Sequence, residues 1–224
     1  MNFRRLLSYF FPITIHNTHS EINNNLEVTW NNGHLVLDSK NTNFSYGSLQ
    51  KVMRIGLSQI GTEKIKSAAN IIVLGVAGGS VIKILREEYQ NSGKITGIEL
   101  DEKSIELANK YFGLNQIDNV EIVIDDASEF IKNDSRKYDL VIIDIFQDNV
   151  MPDFLFTNDF IENVKKIVNI KGWVLFNSIV VLSSEHERNH EFEKMIRTKF
   201  KSVIKLSRVE GDNELFIFSN DQNS

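Results

Sequence analysis

The chain contains no cysteine among its 224 residues. This absence excludes a disulfide scaffold, a thiolate zinc site, an iron–sulfur cluster and a cysteine nucleophile. Only 2 prolines are present, which argues against long linkers and proline-rich tails. Basic residues are outnumbered, with 25 Lys and Arg against 30 Asp and Glu, and the net charge is −5. This charge argues against nucleic acid as a partner, because proteins that bind the phosphate backbone usually carry the opposite sign.

Long hydrophobic runs are also missing from the sequence. No stretch approaches the roughly 20 apolar residues of a membrane span, so we expect no membrane partner. Residues 1–15 place two arginines before a short apolar run, which is the outline of a signal peptide. Pro12 interrupts this run, and no small-residue cleavage site follows it. We therefore interpret residues 1–15 as a packing or subunit-contact segment and expect a cytoplasmic protein.

The region before residue 50 predicts a small β-structure. Leu26–Leu37 has the pattern of a hairpin around the turn signal Asn31–Gly33, and residues 44–47 are a candidate for a further short strand. This hairpin is too small to bury a core of its own. We expect it to pack on the main domain or to pair with a second subunit, which predicts a homodimer. We accordingly divide the chain into an N-terminal region, 1–49, and a nucleoside-binding domain, 50–224.

Strands alternate with helices along the second region. A helix is predicted over residues 48–66, and the continuous apolar run Ile71–Leu74 that follows is typical of a strand buried on both faces. Further strands are predicted at Lys94–Leu100, Val120–Ile124, Tyr138–Ile143, Gly172–Asn177, Ser202–Arg208 and Glu214–Ser219. This alternation predicts an α/β fold with a doubly wound, mostly parallel seven-stranded sheet, in which the last two strands are antiparallel to each other.

A glycine-rich loop follows the first strand of this predicted sheet. Ligands of an open α/β sheet bind beyond the carboxyl ends of the strands, so the loop lies where a ligand is expected. Gly75, Gly78 and Gly79 let the backbone approach a ligand closely, and the next helix offers free N–H groups to an anion. The loop matches neither the dinucleotide pattern nor the phosphate-loop signature. A tight strand-to-helix turn is the structural alternative.

Acidic residues follow the next three strands. Glu99, which lies 20 positions after Gly79, can accept hydrogen bonds from both hydroxyls of a ribose. Asp126 suits the exocyclic amine of a base, and the backbone N–H of Ala127 suits a ring nitrogen. Asp144 can hold an ammonium group or take its proton. The structural alternatives are a solvated strand end for Glu99, a helix cap for Asp126 and a loop aspartate for Asp144. The series as a whole predicts a site for a nucleoside without phosphates and with a cationic group.

One metal-binding motif competes with this interpretation. His186–His190 matches the H-E-x-x-H pattern of zinc proteases. The apolar stripe of the same predicted helix contains Phe192 and Ile196. At about 100° per residue, His186 lies about 120° and His190 about 160° from Phe192, which is the solvent side. We therefore expect a solvated helix face and no metal.

The motifs resemble those of the spermidine synthase family, which has the Rossmann-like fold of class I S-adenosylmethionine-dependent methyltransferases. The similar segments are Phe44–Tyr46, Val73–Gly79, Gly97–Asp101, Asp126–Ala127 with Phe130, and Tyr138–Asp144. The resemblance implies that the three glycines pass the amino-acid or propylamine end of the cofactor. It also implies that Glu99 holds the ribose and that Asp126 and Ala127 hold the adenine.

The family also implies a catalytic pair. Asp144 would stand beside the sulfonium and the incoming amine, and Tyr46 would close the site. The resemblance thus implies aminopropyl transfer from decarboxylated S-adenosylmethionine to a small-molecule amine. Methyl transfer from S-adenosylmethionine and nucleoside binding without catalysis are the alternatives.

The chain departs from the family pattern at three places. Gly78 stands where the family carries an aspartate, and Gly47 follows Ser45-Tyr46 where the family has glutamine. Gln147 replaces a second aspartate, although Asp148 is adjacent. In the family, the missing groups bind the diamine and the aminopropyl ammonium, so the sequence supports cofactor binding better than aminopropyl transfer.

Overall fold

The computed structural model describes residues 3–39, 43–147 and 150–221, which form two β-sheets and the helices around them. The strands of the first sheet are β1 (Ile13–Ser20), β2 (Asn24–Asn31), β3 (His34–Ser39) and β4 (Asn43–Ser45). Those of the second sheet are β5 (Asn70–Leu74), β6 (Lys94–Glu99), β7 (Val120–Ile124), β8 (Tyr138–Ile143), β9 (Val168–Ile179), β10 (Ser202–Val209) and β11 (Asn213–Ser219).

From residue 48 onward, helices alternate with the strands of the second sheet as predicted, with one correction. The helices are α1 (Phe3–Leu7), α2 (Ser48–Ile60), α3 (Thr62–Ser67), α4 (Ser80–Lys83, continued by a π-helical turn at Ile84–Glu88), α5 (Glu102–Phe112), α6 (Ala127–Asn133), α7 (Asn158–Ile167) and α8 (Ser183–Lys199). The single helix expected over 48–66 is wrong, because Gly61 has a φ of +101° and breaks it. Within the described ranges, no helix has the length and apolar character to cross a membrane.

The second sheet has the strand order β10-β11-β9-β8-β5-β6-β7. β11 runs antiparallel to both of its neighbours, and the pairs among β5 to β9 are parallel. This arrangement confirms the predicted mostly parallel seven-stranded sheet with an antiparallel final pair. It also brings the carboxyl ends of β5 to β8 to one edge, where the residues after each strand can meet.

Two hydrophobic cores cover the faces of this sheet. Ile71 and Val73 of β5 pack in the core that contains residues of α2 to α5, whereas Ile72 and Leu74 pack in the core that contains residues of α6 to α8. All four side chains are fully buried. Successive side chains of a strand point to opposite faces of the sheet, and helices cover both faces here. Each such burial contributes roughly 1.5–3 kcal/mol to folding.

The first sheet packs on the main sheet through α5. Its buried residues, including Leu26 and Leu37, form a core with Leu107 and Phe112 of α5. The predicted hairpin is confirmed, since β2 and β3 are antiparallel neighbours. The sequence did not predict strand β1, because its polar residues conceal the alternation of apolar and polar side chains that is typical of a strand. The division at residue 49 stays a prediction.

Candidate active site

A cleft opens at the carboxyl edge of the main sheet. Five predicted site residues line it, namely Gly75, Glu99, Asp126, Ala127 and Asp144. They lie at the carboxyl ends of β5, β6, β7 and β8 or shortly after them, so the fold brings together groups that are up to 69 positions apart in the chain, from Gly75 to Asp144. Within the described part of the chain, Tyr46, Gly78 and Gly79 do not belong to this lining.

Glu99 is bound to the glycine loop by its side chain. One carboxylate oxygen accepts hydrogen bonds from the backbone N–H groups of Val76, at 2.9 Å, and Ala77, at 2.8 Å. The other accepts from the backbone N–H of Asp101 at 2.9 Å. Burial raises the pKa of Glu99, while these three donors favour its ionised form. Because a carboxylate offers about four acceptor sites, Glu99 keeps capacity for a ligand hydroxyl.

Gly75 allows two chain segments to cross closely. Its φ is +86°, and a Cβ atom at this position would lie 2.2 Å from the backbone oxygen of Asp144. No other residue type can occupy the position without moving the end of β8. Gly79 has a φ of +80° and precedes α4, with its Cβ direction pointing at Leu114. The glycines therefore shape the loop, and only Gly75 among the three reaches the described cleft.

Asp126 has the capping role that the sequence offers as its structural alternative, and its role in binding a base stays a prediction. It caps α6, since its Oδ1 atom accepts hydrogen bonds from the backbone N–H groups of Ser128, at 2.8 Å, and Glu129, at 3.0 Å. The residue also lines the cleft, and the buried Ala127 follows it there. The cap fixes the position of the carboxylate, and this leaves an ordered acceptor facing the cleft.

Asp144 is held by a side chain that sequence analysis missed. The side-chain amide of Asn177 on β9 donates a hydrogen bond of 2.9 Å to the Asp144 carboxylate. Burial, together with the charge of Glu99, raises the pKa of Asp144 to about 7, and the bond from Asn177 opposes the rise. Asn177 is fully buried, and its own carbonyl oxygen has no hydrogen-bond partner in the described structure. The only sequence signal for Asn177 was a polar residue directly after the apolar run Trp173–Phe176.

Tyr46 lies behind the glycine loop. Its hydroxyl group donates a hydrogen bond of 3.2 Å to the Gly78 carbonyl, and its ring stacks on Phe112 at a centroid distance of 4.5 Å. Burial raises the pKa of Tyr46, and the charge of Glu87 adds to this rise. The described structure thus shows a buried, neutral phenol in a packing role. Its predicted catalytic role stays a prediction.

Gly78 has no room for a side chain. A Cβ atom there would lie 2.8 Å from the Cβ of Ser45 and 3.2 Å from a ring carbon of Tyr46. The packing around position 78 therefore fits the glycine of this chain and leaves no space for the aspartate that the family carries there. Gln147, the second departure, is exposed and lines the cleft, whereas Asp148 lies outside the described residues.

The turn between β1 and β2 contributes one wall of the cleft. Ile22 and Asn23 line it, although sequence analysis singled out neither residue. The side chains of Ser20 and Asn23 donate hydrogen bonds to the buried carboxylate of Asp101. Asp101 also caps α5, since its side chain accepts a hydrogen bond of 3.0 Å from the backbone N–H of Lys103. The first sheet is thus attached to the strand end that carries Glu99.

The competing metal motif lies on the surface. His186 and His190 are both exposed on α8, while Phe192 and Ile196 face the core. This placement confirms the expected solvated face. The part of the chain that the structure describes contains no group of three or more His, Asp or Glu side chains arranged to hold a metal ion.

Comparison with known proteins gives two kinds of relatives, and both kinds are named as transferases. The eEF1A lysine and N-terminal methyltransferase homolog of Drosophila melanogaster is 25% identical over 199 residues, which cover 83% of this chain and 29% of that protein. A polyamine aminopropyltransferase of Clostridium botulinum is 28% identical over 149 residues, which cover 62% of this chain and 49% of that protein. The chain therefore spans less than half the length of these relatives.

The fold agrees with that of a solved relative. The crystal structure of spermidine synthase in complex with the transition state analogue AdoDATO matches with a TM-score of 0.72 at 16% identity, over 94% of this chain and 74% of that one. The spermine/spermidine synthase domain model matches residues 52–209, which include the whole strand edge described above. By this match, the chain belongs to the spermine/spermidine synthase domain family.

Proposed function

We propose that this protein is a transferase that binds S-adenosylmethionine and transfers its methyl group to an amine, in the cytoplasm. The observation that carries the proposal is the meeting of Glu99, Asp126 and Asp144 in one cleft at the ends of three strands. These groups match the ribose, the base and the cationic end of a sulfonium nucleoside. Gly75 and Ala77 of the glycine loop line the same cleft and would pass the amino-acid end of the cofactor.

The chemistry of the step is supplied by the sulfonium. The lone pair of a neutral amine attacks the methyl carbon, and the carbon–sulfur bond breaks with its electrons going to sulfur. S-adenosylhomocysteine leaves, and the methylated ammonium then loses one proton. Asp144 takes the proton of the amine, because a carboxylate with a pKa of about 7 accepts and releases protons near neutrality.

The choice of methyl transfer over aminopropyl transfer depends on Gly78. Both cofactors end in an ammonium group, but S-adenosylmethionine also carries a carboxylate there, which an acidic side chain at position 78 would repel and a glycine does not. Here the space beside Gly78 is filled by Ser45 and Tyr46. The family model and the bacterial relatives favour aminopropyl transfer as the second candidate.

Two incubations test the proposal. The protein is incubated with S-adenosylmethionine and a panel of acceptors, which includes putrescine, spermidine and peptides with a lysine or a free N-terminus. It is separately incubated with decarboxylated S-adenosylmethionine and putrescine. We expect S-adenosylhomocysteine from the first incubation and no methylthioadenosine from the second. Methylthioadenosine would establish aminopropyl transfer instead. Calorimetry with both cofactors separates the remaining outcomes, since binding without any product indicates a non-catalytic homologue and no binding overturns the proposal.

A further inference from the structure

The H-E-x-x-H segment of α8 turns its two polar residues between the second and last positions inward. His186 and His190 are exposed, whereas Asn189 is fully buried and Arg188 is half-buried. At about 100° per residue, Arg188 lies about 40° and Asn189 about 60° from Phe192, so both flank the stripe of α8 that packs on the main sheet. The polar chemistry of this segment therefore lies on the packed face of α8 and not on the histidine face.

Asn189 connects α8 to two strands of the main sheet. Its side-chain carbonyl accepts a hydrogen bond of 3.0 Å from the Ser178 hydroxyl on β9, and its amide donates one of 2.9 Å to the carboxylate of Glu214 on β11. Ser178 and Glu214 lie opposite each other in the β9–β11 ladder, and all three residues are buried. Such a network specifies one arrangement, because breaking it leaves buried polar groups without partners.

Arg188 joins the end of β9 to the loop that follows β8. Its guanidinium donates hydrogen bonds to the Ser178 hydroxyl at 3.1 Å and to the Ile179 carbonyl at 2.9 Å. The Cζ atom of the same group lies 4.0 Å from the centroid of the Phe156 ring. One of its nitrogens lies 3.9 Å from the sulfur of Met151, which in turn accepts a hydrogen bond of 3.3 Å from the Ile179 N–H. Arg188 thus contacts two segments that meet at the carboxyl edge of the sheet.

Both of these segments belong to the candidate active site. Asn177, whose amide donates to the Asp144 carboxylate, is the residue directly before Ser178. The loop after β8 supplies one wall of the cleft, whose lining includes Gln147, Pro152 and Phe154. The contacts of Arg188 with Met151 and Phe156 therefore hold the same loop that forms this wall.

The charge of Arg188 is not required for packing. Burial lowers the pKa of Arg188, whereas the charges of Glu185, Asp153 and Glu214 raise it. A guanidinium stays ionised in proteins, and removing it from water costs free energy that an apolar side chain of similar volume would avoid. Filling space at this position does not explain an arginine, whereas joining two segments by hydrogen bonds and ring stacking does.

We propose that Arg188 and Asn189 are positioning residues of the site, which fix the end of β9, and with it Asn177 beside Asp144, against the loop that forms the cleft wall. Neither side chain belongs to the described lining of the cleft, so both act through other residues. Their effect on cofactor binding rests on the proposed function. The structural coupling of α8 to the two segments does not rest on it.

Hydrogen exchange, measured by mass spectrometry without any ligand, tests the coupling. Arg188→Met keeps a long apolar side chain and removes the hydrogen bonds. We expect the amides of residues 150–156 and 177–182 to exchange about 10-fold faster in R188M, while those of α5 stay unchanged. The conservative variant R188K keeps the charge and should show a smaller increase. Unchanged exchange in R188M, or an equal increase throughout the chain, would overturn the proposal.

Two further variants separate this coupling from general loosening of α8. R197M makes the same change at an exposed arginine of the same helix, and both segments should exchange as in the wild type. Asn189→Ala removes contacts to β9 and β11 but none to the loop, so residues 177–182 should be accelerated more than residues 150–156. Acceleration by R197M equal to that by R188M would contradict the assigned role.

Calorimetry with S-adenosylmethionine tests the consequence for the site. We expect R188M to bind about 5- to 20-fold more weakly than the wild type, because the cleft wall is no longer held in place. R188K should have an intermediate affinity, and R197M should bind as the wild type does. Faster exchange in R188M with an unchanged affinity would overturn the positioning role. If the wild-type protein does not bind, the proposed function fails, and the exchange experiment alone decides whether Arg188 joins the two segments.

Discussion

The amide of Asn177 and the carboxylate of Asp144 are joined by a hydrogen bond of 2.9 Å across neighbouring strand ends. The amide nitrogen donates, so the bond favours the ionised carboxylate, whereas burial favours the protonated one. The balance of these two effects places the pKa of Asp144 at about 7. Asn177 therefore lowers the pKa of Asp144 from the value that burial alone would give, and under the proposed function this widens the pH range in which Asp144 can take a proton from an amine.

The first prediction concerns the pH dependence of methyl transfer. We expect kcat to fall as the pH drops below about 7, because Asp144 is then protonated and cannot accept the proton of the amine. Asn177→Leu removes the bond that favours the ionised form, so its pH profile should shift to higher pH. The measurement is kcat against pH at saturating cofactor. An unchanged midpoint in N177L would show that Asp144 is not the titrating group.

The second prediction concerns stability. The pKa of Asp144 rises from about 3.9 in the unfolded chain to about 7 in the folded protein, so the folded state binds the extra proton between these values. The wild-type protein should lose stability as the pH rises from 4 to 7, and Asp144→Asn should lose less. We expect D144N to exceed the wild type by about 4 kcal/mol at pH 8 and by about 1 kcal/mol at pH 4.5. Urea unfolding at both pH values measures this, and an equal difference at both would contradict it.

The third prediction concerns cofactor affinity. Glu99→Gln replaces an acceptor beside the Asp101 N–H with a donor, and it removes the negative charge that the ribose hydroxyls would meet. We expect S-adenosylmethionine to bind about 10- to 100-fold more weakly, as calorimetry would show. The matched control is E102Q, the same change at an exposed position of α5, which should leave the affinity unchanged. Equal affinities in all three proteins would remove Glu99 from the site.

The fourth prediction concerns the packing around Gly78. Gly78→Ala places a Cβ atom 2.8 Å from the Cβ of Ser45, and we expect a loss of about 1–3 kcal/mol in the free energy of unfolding. The loss should be smaller when it is measured in the background of Ser45→Gly, which removes the contacting atoms. A double-mutant cycle in urea isolates this coupling. Additive effects of the two substitutions would show that Gly78 and Ser45 do not compete for space.

The main sheet could be predicted because its strands have strong local signals. Ile71–Leu74 and Tyr138–Ile143 are short apolar runs between helical patterns, and such runs form buried parallel strands. Strand β1 could not be predicted in the same way. Four consecutive polar residues, His16–His19, conceal its alternation, and the strand is fixed by pairing with β2. The break at Gly61 shows that one glycine can end a helix whose apolar pattern continues.

The site residues that lie at the ends of successive strands could be predicted from the sequence. Glu99, Asp126 and Asp144 each come directly after a strand or begin the following helix, so the fold rule locates them. Asn177, which bonds Asp144 from behind the cleft lining, and Ile22, which lines the cleft, take their places for other reasons. Asn177 belongs to a strand that becomes the neighbour of β8 only in the folded sheet, and Ile22 depends on how the first sheet docks. No sequence spacing encodes either relationship.

The buried carboxylate of Asp101 has a consequence for how the protein can be divided. It receives hydrogen bonds from Ser20 and Asn23 at one side and caps α5 at the other. A fragment that begins at residue 50 would leave this negative charge in an apolar setting and uncover Leu107 and Phe112 of α5. Such a fragment should aggregate or melt early, so the N-terminal sheet stabilises the edge of the cleft and should melt together with it.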